Sequence, residues 1–224
     1  MGQLMKLEIE KFKLQKQMIG VLITILGIMV FLTVSFVDTY TDASQQLDSS
    51  QNIRWMINLL NTGAFLVYSS TMVSKIVVNE YSRGTIYVLF SYPINRIKLM
   101  LSKIILIFLF TVCSTILGDV LCTLYVNLIN ANVQVMTSMI GWDSEILSLY
   151  IFGSILGGIL STIPFVTGMY SKSTSVPIVT SVILVAVMQA LIGRNPEILT
   201  TIWNLVLIAG IVILLATYTL IKKV

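Results

Sequence analysis

Histidine is absent from this chain, cysteine occurs twice, and Asp, Glu, Lys and Arg together make up only 11% of the residues. The first two shortages remove the usual ligand sets for a metal centre. With the acids scattered, they also leave no material for a catalytic triad or a paired-carboxylate site. A phosphate loop of the form G-x-x-x-x-G-K-[ST] is missing too; the nearest fragment, Gly168 to Thr174 (GMYSKST), has neither the second glycine nor the spacing. The polypeptide is therefore expected to be no enzyme on its own, with no cofactor of its own. Cys113 and Cys122 stand nine residues apart in one apolar run. That spacing separates them along a helix axis by more than a disulfide spans, so they read as apolar packing residues.

Scarcity of charge goes with an excess of the opposite kind. Hydrophobic residues make up 56% of the 224, and the mean hydropathy is +0.93, beyond what a soluble domain can coat with polar surface. Apolar runs long enough to cross about 30 Å of hydrocarbon as helix fall at 18–37, 56–78, 104–128, 147–169, 176–192 and 201–221. The fifth is the shortest. These runs are continuously apolar, without the alternation of a transmembrane barrel. The expected fold is an all-α membrane protein: six transmembrane helices in a single domain over 1–224.

Lys and Arg near span ends mark the cytoplasmic side. With the N-terminus inside, the inner segments hold Lys6, Lys11, Lys13, Lys16, Lys75, Arg83, Arg96, Lys98, Lys103, Lys172, Lys222 and Lys223, and the outer ones only Arg54 and Arg194. Six acids, Asp38, Asp42, Asp48, Asp143, Glu145 and Glu197, fall outside. Both termini are therefore expected in the cytoplasm. The net charge of +4 is the sum of a basic inner face and an acidic outer one; it suits anionic lipid and is no sign of nucleic acid. Residues 1–17 mix apolar and charged side chains in a way that suits a helix lying in the membrane interface, or a solvated basic lead-in to the first span. That span lacks a small-x-small cleavage site before Asp38 and reads as a retained anchor.

Between the second and third runs lies the segment 79–103, NEYSRGTIYVLFSYPINRIKLMLSK, much longer than a plain connector needs. Gly84 allows a turn or a close backbone approach. Pro93 ends any helix before it and restricts Tyr92. Asn95 is a good N-cap for a helix starting at Arg96 and running into the third span. A short helix across the membrane face, a corner and a re-entry follow from that order.

This order, Glu80, then Gly84-Thr85, then the apolar stretch through Phe90, then Pro93-Ile94-Asn95-Arg96, resembles the cytoplasmic segment of type-2 ATP-binding-cassette (ABC) exporter permeases. Length and span number agree as well, and the resemblance is nearest to the small bacitracin, lantibiotic-immunity and phenol-soluble-modulin exporter permeases. The resemblance implies that Glu80, Tyr81, Arg83, Gly84, Thr85, Ile86, Tyr87, Phe90, Pro93 and Arg96 form a coupling segment that docks on a separate ATPase subunit. It implies two copies of that subunit, holding ATP and Mg, and a second permease, either another copy or a related chain. The substrate would be an amphipathic peptide or other hydrophobic compound, exported across a bacterial plasma membrane by alternating access, with antimicrobial-peptide resistance as one outcome. Lying on anionic lipid is the simpler use of the same segment.

Inside the spans, Asp119 stands near the middle of the third, where an ionised acid costs roughly 2.5–3.5 kcal/mol by translocon scales. Thr115, Asp119, Thr123 and Asn127 share one helix face. A path for a cationic or amphipathic substrate and interhelical hydrogen bonding both account for that stripe. In the second span Asn58, Asn61, Thr62, Tyr68, Ser69, Ser70 and Thr71 serve either helix association or a cavity wall. The family resemblance implies a cavity bordered by the first, second and fifth spans, which makes Asn61 and Gln189 path candidates beside Asp119. Gly153, Gly157 and Gly158 read as a close helix contact. Two functions of another class remain: a carrier driven by an ion gradient through Asp119, and a membrane immunity or scaffold protein that transports nothing.

Overall fold

The computed structural model describes residues 14–41, 50–79, 96–133, 140–171 and 173–192. All regular elements among them are helical: α1 (Leu14–Thr41), α2 (Ser50–Val73), a π-helical turn π1 (Ser74–Val78), α3 (Arg96–Val133), α4 (Ser144–Leu160), α5 (Thr162–Ser171) and α6 (Val176–Ile192). Three stretches are long and apolar enough to cross a membrane: Gln17–Ser35, Met100–Ala131 and Ser144–Ser171. They fall on the first, third and fourth of the runs read from sequence. Val176–Ala190 is a shorter apolar helix, on the run expected to be shortest. The second run forms α2 and π1, whose polar side chains keep it out of that apolar set. The sixth run, the N-terminal segment up to Lys13 and most of the segment 79–103 lie outside the described residues.

Two elements differ from a simple hydropathy reading. The run at 147–169 is divided: α4 ends at Leu160, Ser161 makes a turn, and α5 starts at Thr162. Pro164 explains the division, because it offers no N–H to the carbonyl of Leu160 and its ring crowds that carbonyl. The third run is exceeded: α3 holds 38 residues, about 57 Å at 1.5 Å per residue, so it extends well past the hydrocarbon. Arg96 is its first described residue, and the N-cap read at Asn95 lies outside the described residues.

Packing divides the chain into two units, one of Met1–Leu14, Leu66–Val112 and Ile155–Val224, the other of Gln15–Phe65 and Cys113–Ser154. The core of the first is an apolar cluster of Met72, Val73, Ile76, Val77, Val78, Met100, Ile104, Leu106, Ile107 and Phe165, with Tyr68 and Phe110 packed against it. Their rings stack at a centroid distance of 6.2 Å. In the second unit α1 buries a narrow stripe of Val21, Ile25, Ile28 and Leu32 and exposes Ile19, Leu22, Ile23, Leu26, Val30 and Phe31. A helix apolar on all sides suits a lipid surround.

Close approach in the first unit depends on glycine. A Cβ at Gly168 would lie 2.6 Å from Pro177 Cγ and 2.8 Å from Val78 Cγ2, so α5 could no longer seat against α6 and π1. Gly168→Val is expected to destabilise the protein by about 1–3 kcal/mol, the usual cost of overpacking. Thermal unfolding in detergent checks this; an unchanged midpoint would mean that the contact yields freely.

Candidate functional site

In the second unit three helices meet on buried polar side chains. Asn58 and Asn61 of α2 stand one turn apart on one face. Asn58 Nδ2 donates to Asp119 Oδ2 of α3 at 3.2 Å, and Asn61 Nδ2 donates to Asp119 Oδ1 at 3.0 Å. Asn61 and Asp119 are both 0% exposed. Each carboxylate oxygen thus has its own amide donor, which offsets part of the cost of placing it inside apolar helices. Glycine makes room for both amides. A Cβ at Gly118 would lie 2.7 Å from Asn61 Oδ1, and one at Gly153 of α4 would collide with the Asn58 amide.

One turn along α3, Thr123 Oγ1 donates to the Asp119 carbonyl at 2.7 Å. With its one proton so used, Thr123 is the acceptor in the 2.6 Å contact with the Tyr150 hydroxyl of α4. Further along, the Asn127 amide pairs with the backbone of Ile140, donating to its carbonyl at 3.0 Å and accepting from its N–H at 2.9 Å. Arg54 Nη2 of α2 lies 4.0 Å from Asp143 Oδ2, at the start of α4. Asp143 immediately precedes that helix, its carbonyl accepting from the N–H groups of Ile146 and Leu147. The face Thr115, Asp119, Thr123 read from sequence is the buried face of α3.

The arrangement ties α2, α3 and α4 in fixed register. It offers no nucleophile beside a base, and no group of His, Cys, Asp and Glu suited to a metal ion occurs among the described residues. Both cysteines are free thiols. Of the path candidates, Asn61 and Asp119 come together in this cluster, while Gln189 is exposed on α6 in the other unit. Of the coupling candidates, Glu80, Tyr81, Arg83, Gly84, Thr85, Ile86, Tyr87, Phe90 and Pro93 lie outside the described residues, and Arg96 is the first residue of α3.

The sequence reading gives no role to Tyr150 and counts Lys103 only among the cations of the cytoplasmic side. Tyr150 looks like one more aromatic in an apolar run, and its partner is 27 positions away. Lys103, 1% exposed, belongs to the first unit, where its Nζ donates to the Ile76 carbonyl of π1 at 3.2 Å. A lysine set inside an apolar stretch was the available signal. In the same region Ser74 Oγ donates to the Thr174 carbonyl at 2.7 Å, and Ser70 Oγ and Ser181 Oγ of α6 share a hydrogen bond of 2.9 Å.

Long apolar helices joined through buried polar side chains define a helical integral membrane protein. The chain belongs to a family of ABC transporters: the model described as "ABC-2 family transporter protein" matches residues 4–188. Its members are the membrane components of such transporters, so membership implies an ABC ATPase partner and no catalysis by the membrane chain alone. The chain is also similar to the uncharacterized protein YcbO of Bacillus subtilis (strain 168), with 25% identity over 192 residues, covering 84% of this chain and 83% of that one. No solved structure matches.

Proposed function

We propose that this chain is the permease subunit of an ATP-driven exporter, moving an amphipathic or hydrophobic substrate, a peptide by preference, out of the cell or out of its membrane. Two such subunits, identical or related, enclose the path, and two ATPase subunits bound from the cytoplasm hold ATP and Mg. Both termini and the segment 79–103 face the cytoplasm, as the distribution of Lys and Arg requires. The membrane is a bacterial plasma membrane. Within the family we place the chain with the small permeases of the bacitracin, lantibiotic-immunity and phenol-soluble-modulin exporters, on its size and short loops.

The observation that carries this reading is the match over residues 4–188, which contains the whole motif from Glu80 to Arg96. α2 with π1 leads into that segment and α3 leads out of it, so a force applied there reaches two helices at once. Glu80 and Arg83 supply charge to the docking surface; Tyr81, Ile86, Tyr87 and Phe90 supply its apolar contacts. The experiment is a mild-detergent pull-down of the tagged chain from its native membrane, with and without Glu80→Ala. An ATPase subunit is expected with the wild type and is expected to be lost, or reduced about tenfold, with the variant, a loss of about 1.4 kcal/mol. A wild-type chain that purifies without an ATPase would sink the proposal.

A further inference from the structure

The turn π1 is wound one residue wider than the helix that enters it, and such single wide turns are frequent at functional sites. It stands directly before the segment 80–95. Two turns into α3, seven residues past Arg96, stands Lys103, which donates to the Ile76 carbonyl of π1. The bond therefore joins the helix that leads into the segment 80–95 to the helix that leads out of it.

A buried ammonium costs far more than a methionine of similar length in the same space. One of its uses here is a charge-assisted hydrogen bond, since the wide winding of π1 leaves carbonyls off the α-helical ladder and Lys103 Nζ donates to that of Ile76. The turn is held on other sides as well. Ser74 Oγ fastens it to Thr174 in the link before α6, and Val78 fills the space left by Gly168 of α5. Ile76, Val77 and Val78 also share an apolar cluster with Met100, Ile104 and Phe165. The wide form thus has partners from α3, α5 and the link to α6, all within one unit.

We propose that Lys103 is a positioning residue for coupling: it holds π1 in the wide form, and return of π1 to α-helical pitch is the step that passes motion of the segment 80–95 into α2. Winding the one extra residue into α-helical pitch would rotate everything beyond it by about 100° and shift it by about 1.5 Å along the axis. An effective coupling element requires two discrete arrangements, and the wide and the α-wound forms of π1 would supply them. The inference rests on the permease reading above, since it needs an ATPase acting on 80–95.

The test uses the full complex of the chain with its co-purified ATPase in lipid nanodiscs and liposomes, in four forms: wild type, Lys103→Met, Lys103→Arg, and deletion of Val77. Lys103→Met removes the donor and keeps the stem; the deletion removes the extra residue and leaves an α turn. Partner binding and ATP hydrolysis are expected to stay near wild type in all four. Substrate moved per ATP is expected to fall about tenfold or more in Lys103→Met and in the deletion, within the range of measured coupling factors, and to recover in Lys103→Arg. Wild-type transport per ATP in both Lys103→Met and the deletion would overturn the hinge while leaving the permease reading intact. Loss of insertion or partner binding in Lys103→Met, unrescued by Lys103→Arg, would reduce Lys103 to a folding role and also overturn it. Failure of the wild-type chain to bring down any ATPase would remove the permease reading and this inference together.

Discussion

Asp119→Leu is expected to destabilise the folded chain by about 2–4 kcal/mol. The substitution leaves the amides of Asn58 and Asn61 without their acceptor in a fully buried setting, and an unpaired buried donor costs about 1–3 kcal/mol. Interhelical hydrogen bonds in membranes average only about 0.6 kcal/mol, so most of the cost comes from the two orphaned amides. Asp119→Asn keeps the shape and one acceptor, so only one amide is orphaned and the cost should be about half as large. Thermal unfolding in detergent, with transport measured on the same preparations, distinguishes two uses of this carboxylate. A clamp predicts that stability and transport fall together, more for leucine than for asparagine. Full stability with lost transport in both variants would put Asp119 in the substrate path instead.

The second large effect concerns Gly153, which makes room for the same Asn58 amide. Gly153→Ala should drive Asn58 away from Asp119 and cost about 1–3 kcal/mol, as overpacking usually does. The diagnostic form is a double-mutant cycle. If collision with Asn58 is the cause, Gly153→Ala placed on an Asn58→Ala background should cost little, giving a coupling energy of about 1–2 kcal/mol, within the range for contacting residues. Strict additivity of the two substitutions would show that Gly153 is needed for another contact.

These effects were only partly visible in the sequence, and the division has physical causes. Helix α6 starts where the apolar run at 176–192 starts, because Pro177 in its first turn is local punctuation. The buried face of α3 was legible because Thr115, Asp119 and Thr123 repeat at helical spacing. That Asn58 and Asn61 are the partners of Asp119 was not, since the pairing spans about sixty residues and periodicity within one helix says nothing of its neighbour. Hydropathy averaging hid the division at Ser161: Pro164 is a single residue in a long apolar run. The wide turn at Ser74–Val78 has no local signature, since SKIVV reads as ordinary helix; its partners are Lys103 and Thr174, supplied from elsewhere in the chain.

The central claim is that this membrane chain works on energy supplied by another polypeptide. The most direct measurement is efflux of an amphipathic peptide from liposomes holding the purified chain, with and without its co-purified ATPase, under ATP, ADP or an imposed ion gradient. The account predicts movement only when the ATPase and ATP are both present, and none from an ion gradient. Transport by the chain alone, driven by a proton or sodium gradient and abolished by Asp119→Asn, would contradict it.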